Sequence, residues 1–300
     1  MISRAFLSGP VAPVLAACAG IAAFSAMDAA IKGAALAVGV YTALLLRNVL
    51  GTLMILPVWL AGERRLPPRS TLALHVLRSA VNTAMAVLFF VAVVRLPLAE
   101  AIALSFIAPL IALFLSAVVL GERIRRRAVL ASLLGLAGVG VIATGRLGAD
   151  AGGDSAVGLV AMLASAVLYA VNLVLQRKQA LLAGPVEIAL SQSGIIALIL
   201  ALAAPWLFVV PSAQVLALAT LGAGLATLAL LLLAWGYARA EAQVLLPIEY
   251  TAFLWAMLCG WLFFDEPVGG ATLAGAALIV LGCWVGSRNA APAHVEQTCV

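Results

Sequence analysis

The sequence predicts an all-α integral membrane protein: ten transmembrane helices, built as two inverted five-helix repeats, with both termini inside. Three observations predict it. Of the 300 residues, 65% are hydrophobic and only 10% charged, whereas a soluble domain carries about 25% charged residues. The mean hydropathy is +1.20. The segment Arg95–Glu122 recurs at an offset of 144 as Arg239–Glu266, with no gap. The cations, finally, are distributed very unevenly between the two ends of the spans.

A helix needs about 20 apolar residues to cross the hydrocarbon core, and roughly ten such spans use up nearly the whole chain. No sizeable soluble domain is left. Spans are expected at 12–32, 41–60, 72–94, 98–120, 128–145, 156–176, 187–209, 214–237, 243–264 and 271–287. They are read as helices because a segment in lipid must satisfy its backbone internally. A barrel strand would be about ten alternating residues, and these runs are longer and apolar on all sides.

Taken in order, the first span carries Asp28 and Lys32 at i, i+4, a spacing at which the two can pair. Within it, Leu15-Ala16-Ala17-Cys18 resembles a bacterial lipoprotein cleavage site. The preceding residues are broken by Ser8, Gly9, Pro10 and Pro13, only Arg4 is basic, and cleavage would destroy the span, so it is kept as a span. The second span holds Arg47, and the third His75, Arg78 and Asn82. The fourth opens on Arg-Leu-Pro, closes on Gly-Glu and is interrupted by Pro109. The fifth and tenth carry small residues at close spacing, Ala131, Gly135, Gly138 and Gly275, Gly282, Gly286, which allow tight helix contact. The sixth offers Ser165, Tyr169 and Asn172 at i, i+4, i+7, one polar face. The ninth carries Pro247, Glu249 and Tyr250 in its inner part.

The offset of 144 holds elsewhere: Asp28 falls on Asn172, Pro67 on Pro211 and Gly138 on Gly282. The chain therefore divides into a first repeat at 10–144, a linker at 145–153, a second repeat at 154–288 and a tail at 289–300. Five spans per half is odd, so the halves enter the membrane from opposite sides. With the N-terminus inside, twelve Lys and Arg fall on inner segments and three on outer ones, the bias expected of cytoplasmic loops. Equivalent loops follow the same rule. Arg64, Arg65 and Arg69 align with Phe208, Val209 and Ala213, and Arg177 and Lys178 with Gly33 and Ala34.

Inverted repeats place a shared cavity near mid-membrane, which rocking of one half against the other exposes to either side. The segments VVLGERIRRRAVLASLLGLAGVGVIATG and FFDEPVGGATLAGAALIVLGCWVG resemble the end of each EamA domain in the drug/metabolite transporter superfamily. The shared pattern is an apolar run, Gly-Glu or Asp-Glu, a short polar turn and a Gly-rich last helix. The resemblance implies a ten-helix carrier, N-in and C-in, that exports small metabolites across a bacterial inner membrane. Among its members the amino-acid exporters of the YddG type are favoured.

Polar residues inside spans are costly and point to function. Asn82 offers both donors and acceptors to a zwitterionic or neutral substrate. His75 and Arg78 share its face at i−7 and i−4, and Arg78 could hold a carboxylate in a bidentate grip or snorkel to the inner headgroups. Ser165, Tyr169 and Asn172 are expected to line the cavity, with Phe106 and Tyr250 as apolar wall. Glu249 is the candidate proton-coupling acid, and Pro109 and Pro247 are candidate hinges. Glu122 and Glu266 close spans in both halves and are expected to sit at the starts of the following helices, where a carboxylate meets a favourable dipole.

No metal or cofactor is expected. The four cysteines (Cys18, Cys259, Cys283, Cys299) are scattered, with no Cys-x-x-Cys and no His nearby. The net charge of +5 is a topology signal, so no nucleic-acid partner is implied. The expected partners are membrane lipid and a small-molecule substrate, and the chain is expected to act as a monomer. The sequence thus reads as a secondary carrier of amino acids, aromatic and other neutral ones favoured. Drugs, nucleosides or another metabolite class remain open as substrates. Against a membrane-embedded enzyme stand the lack of a metal cluster, of a Gly-x-Ser-x-Gly turn and of a phosphate-binding loop. A channel would not need two inverted halves with proline-broken helices.

Overall fold

A computed structural model of the chain describes residues 11–62, 67–108, 111, 115, 126–149, 153–180, 182–237 and 251–287. Every regular element among them is a helix. Val11–Ala61 is one helical stretch turned at Gly39, whose φ of 81° and ψ of 156° separate α1 (11–38) from α2 (40–61). That backbone conformation is essentially open to glycine alone. The first two predicted spans therefore meet at a single residue and need no loop.

α3 is Arg69–Val93 and α4 is Leu98–Ser105, entered through Pro97. The sequence reading runs α4 on to 120, but its continuous helix breaks at Phe106. The carbonyl of Ser105 is the one an amide at position 109 would satisfy, and Pro109 has no N–H to give. Pro109 itself lies outside the described residues. α5 is Arg126–Ala149, α6 Gly153–Ala180 and α7 Pro185–Ala201, followed by a single turn, Ala204–Leu207. α8 is Ala213–Tyr237, α9 Ala252–Phe264 and α10 Gly270–Ser287.

Among the described residues, four stretches are long and apolar enough to cross a membrane: Ala12–Ala61, Arg69–Val93, Gly153–Gln176 and Ala213–Leu233. Shorter apolar helices lie at Leu133–Ile142, Pro185–Ala201, Ala252–Phe264 and Gly270–Gly282. The outer surface is apolar, as lipid requires; Leu198, Trp206 and Val210 are 69%, 80% and 83% exposed.

The packing joins the two halves helix by helix. α1 lies against α8, where Gly222 abuts Ile31 and Gly20 abuts Leu233. α3 lies against α6. Adding 144 to α1 gives α6, and subtracting it from α8 gives α3, so the α1–α8 pair maps onto the α6–α3 pair. The pairs α2–α7, α4–α9 and α5–α10 each map onto themselves. This is a pseudo-two-fold relation, and its axis runs between those three pairs. At α5–α10 a Cβ on Gly138 would stand 2.6 Å from the carbonyl oxygen of Gly275, so the small-residue faces do pack against each other. Between the pairs, Ile31, Leu44, Phe90, Leu98, Leu104, Met162 and Ile279 are wholly buried.

Candidate functional site

His75, Arg78 and Asn82 all lie on the buried face of α3, at 0%, 5% and 6% exposure. Opposite them α6 presents Asn172 and Gln179, and α7 presents Glu187. Arg78 donates from Nε to Asn172 Oδ1 at 3.0 Å and from Nη1 to Gln179 Oε1. Arginine has no acceptor, so the Gln179 carbonyl must face it, and the amide nitrogen then donates to His75 Nδ1. That choice puts the imidazole proton on Nε2, which donates to Glu187 Oε1 at 3.0 Å. Each link dictates the next. A proton added at Nδ1 would set donor against donor.

The cluster corrects two expectations. Arg78 does not snorkel to the headgroups: it is enclosed, because two amide oxygens replace the water that a guanidinium would otherwise seek. The face of Ser165, Tyr169 and Asn172 does not behave as one stripe. Ser165 donates to the Met85 carbonyl at 2.9 Å and Asn172 accepts from Arg78, so both belong to the α3–α6 seam. Tyr169 is 36% exposed. Asn82 stands one turn beyond Arg78 and, among the described residues, carries no side-chain hydrogen bond.

Lys32 does not pair with Asp28. Its ammonium reaches Glu266 and the carbonyl of Leu96 at 3.0 Å, over the ring of Phe264. The other Glu266 oxygen accepts from the Leu98 amide at 2.8 Å. Glu266 thus caps α4, in the other repeat, and not the following helix α10 as expected. The reason is local: Asp265 adopts a left-handed backbone (φ 51°), which turns the chain back, and the Glu266 amide closes on the Gly260 carbonyl at 3.1 Å. A Cβ at Gly260 would stand 2.9 Å from Glu266 Oε2, so a side chain there would push the carboxylate from its place. On α10, Thr272 donates to Glu100 of α4 at 2.8 Å.

Phe106 forms the turn that ends α4 and is half-buried against the core. Tyr250, Glu249, Pro247 and Glu122 lie outside the described residues, as does Pro109. Sequence reasoning misses Gln179 and Glu187. Gln179 is within reach of it, since it continues the spacing of seven from Ser165 through Asn172, but it falls beyond the predicted end of the span at 176. Glu187 stands at the first position of the seventh predicted span, where nothing in its neighbours singles it out.

The EamA-like transporter family matches twice, over residues 11–144 and 156–288. No curated protein matches the chain. A solved structure described as "Crystal structure of protein" is similar to 95% of this chain and 98% of its own, at a TM-score of 0.64 and 23% sequence identity. That likeness concerns the fold alone. The two family matches fall on the two halves that the packing relates, and the chain belongs to the EamA-like transporter family.

Proposed function

We propose that the protein exports amino acids, aromatic and other neutral ones foremost, or similar small metabolites, by alternating access across a bacterial inner membrane. Its ten crossings would run as inverted repeats at 10–144 and 154–288, with the 145–153 linker outside and the 289–300 tail inside. Asn82 would meet the substrate, with Phe106, Tyr169 and Tyr250 as apolar contacts. Arg78, His75, Ser165 and Asn172 would hold the wall behind it. Glu249 would carry the coupled proton, Pro109 and Pro247 would serve as hinges, and one copy would suffice.

The observation that supports this most is the pairing of helices across repeats around one axis, with a polar lock on one side only. Under the offset of 144, His75, Arg78, Asn172, Gln179 and Glu187 correspond to Ala219, Gly222, Asp28, Ala35 and Ala43. A symmetric frame with unequal halves of this kind can hold an asymmetric solute and pass between two arrangements. Purified protein in liposomes preloaded with an amino acid should accumulate the labelled amino acid transiently and saturably. Counterflow of drugs or nucleosides alone would move the substrate class, and flux that never saturates would replace the carrier by a channel.

A further inference from the structure

Two opposite charges lie inside the first repeat and take no part in the polar cluster on α3. Asp28 stands eleven residues before Gly39 on α1 and Arg47 eight residues after it on α2. At 1.5 Å per residue these are depths of about 17 and 12 Å from the turn, close to the middle of a core about 30 Å thick. The two side chains interact electrostatically, and Asp28 also acts on Cys259 of α9. One turn before Asp28, Ser25 donates to the Ala252 carbonyl, also on α9, at 3.4 Å. Asp28 therefore faces α9, a helix of the pseudo-two-fold axis.

Both residues keep part of their surface accessible, although protein atoms surround their charged ends. Lys32 is 3% exposed and committed to Glu266. Lys32 would be the natural partner of Asp28 by sequence spacing; its commitment leaves Arg47 to balance Asp28. The second repeat carries no such pair, for the equivalent positions are Asn172 and Ser191. Charges at mid-membrane are expensive and face cavities or each other. A partly accessible pair of zero net charge is matched by a solute that is itself a dipolar ion.

Resting on the amino-acid reading above, we infer that Asp28 and Arg47 form a receptor for zwitterions. The substrate carboxylate takes the place of Asp28 at the Arg47 guanidinium, and its ammonium takes the place of Arg47 at the Asp28 carboxylate. The solute replaces one ion pair by two, so no charge is left unpaired as it enters. A solute with only one of the two ends leaves one protein charge bare and is excluded.

The test is competition for labelled phenylalanine uptake in liposomes, with phenethylamine, 3-phenylpropanoate and glycine betaine as unlabelled solutes. In the wild type, neither single-ended analogue should compete. Asp28→Asn should raise half-saturation for phenylalanine about tenfold or more, the worth of one charged hydrogen bond, and admit 3-phenylpropanoate as a competitor. Arg47→Gln should admit phenethylamine instead. If Asp28→Asn fails to assemble, Asp28→Glu serves, with the expected rise in half-saturation and exclusion of both analogues retained. Unchanged half-saturation and unchanged exclusion in the variants overturn the receptor and leave amino-acid export standing. Direct uptake of labelled betaine with no uptake of any amino acid removes the amino-acid reading and keeps the receptor. A wild type that moves none of these solutes overturns both.

Discussion

At the scale of single residues, the α3 face separates two roles that spacing alone cannot. Gln179 is a bridge: it accepts from Arg78 and donates to His75. Gln179→Leu leaves Nη1 of a buried guanidinium and an imidazole nitrogen without partners. We expect a loss of stability on the order of 1–3 kcal/mol, seen as earlier thermal unfolding in detergent. Asn82 bridges nothing among the described residues, so Asn82→Ala should leave unfolding unchanged and lower transport about tenfold. Equal uptake kinetics in Asn82→Ala and wild type would remove it from the site. That polar residues share a face of α3 is legible in the sequence, because helical spacing is a local property. That Arg78 ends on two amides is not, because it depends on which helix lies opposite. The same holds for Lys32: Asp28, four residues away along one helix, is visible in a sequence, and the Glu266 carboxylate 234 residues away is not.

At the scale of elements, glycine marks the places where backbone governs. Around Gly39 nothing lies within 4 Å of where a Cβ would stand, so Gly39→Ala costs conformation and no contact. A loss of about 1–3 kcal/mol is expected, again by thermal unfolding; an unchanged midpoint would mean that the α1–α2 turn relaxes into an ordinary conformation. Gly138→Ala is the opposite case, since its cost is collision with Gly275 across the α5–α10 seam. It should destabilise by about 1–3 kcal/mol. Gly138→Ala combined with Gly275→Ala should cost less than the sum, because the helices separate once for both. The α5–α10 seam is legible from the small-residue spacing. The break in α4 is half legible: Pro109 signals an interruption, but its effect falls one turn earlier, where the Ser105 carbonyl loses its hydrogen bond and the helix breaks at Phe106.

At the scale of the whole molecule, the presence of two repeats is legible because it is written in the sequence as a copy. Their geometry is not, since an offset of 144 says that two halves are alike and not how they meet. The structure pairs α1 with α8 and α3 with α6, so each half is completed by the other. The proposed inverted topology makes a direct prediction. In a variant without its native cysteines, single cysteines at the equivalent positions Arg69 and Ala213 should react with a membrane-impermeant thiol reagent from opposite faces. Labelling of both from one face would exclude inverted repeats.

The clasp at Glu266 has a consequence for how the protein is made. Lys32 and the Leu98 amide belong to the part of the chain that leaves the ribosome first, and the carboxylate that serves both comes later. Leu98 waits for a partner 168 residues downstream, which at roughly 5–20 residues per second is on the order of 10–30 s of synthesis. Over that interval the nascent first half holds an ammonium without its counter-ion and a helix start without its cap. It has good reason to stay loosely assembled until translation passes 266. The two halves made as separate polypeptides in one cell should therefore find each other, and either made alone should be degraded.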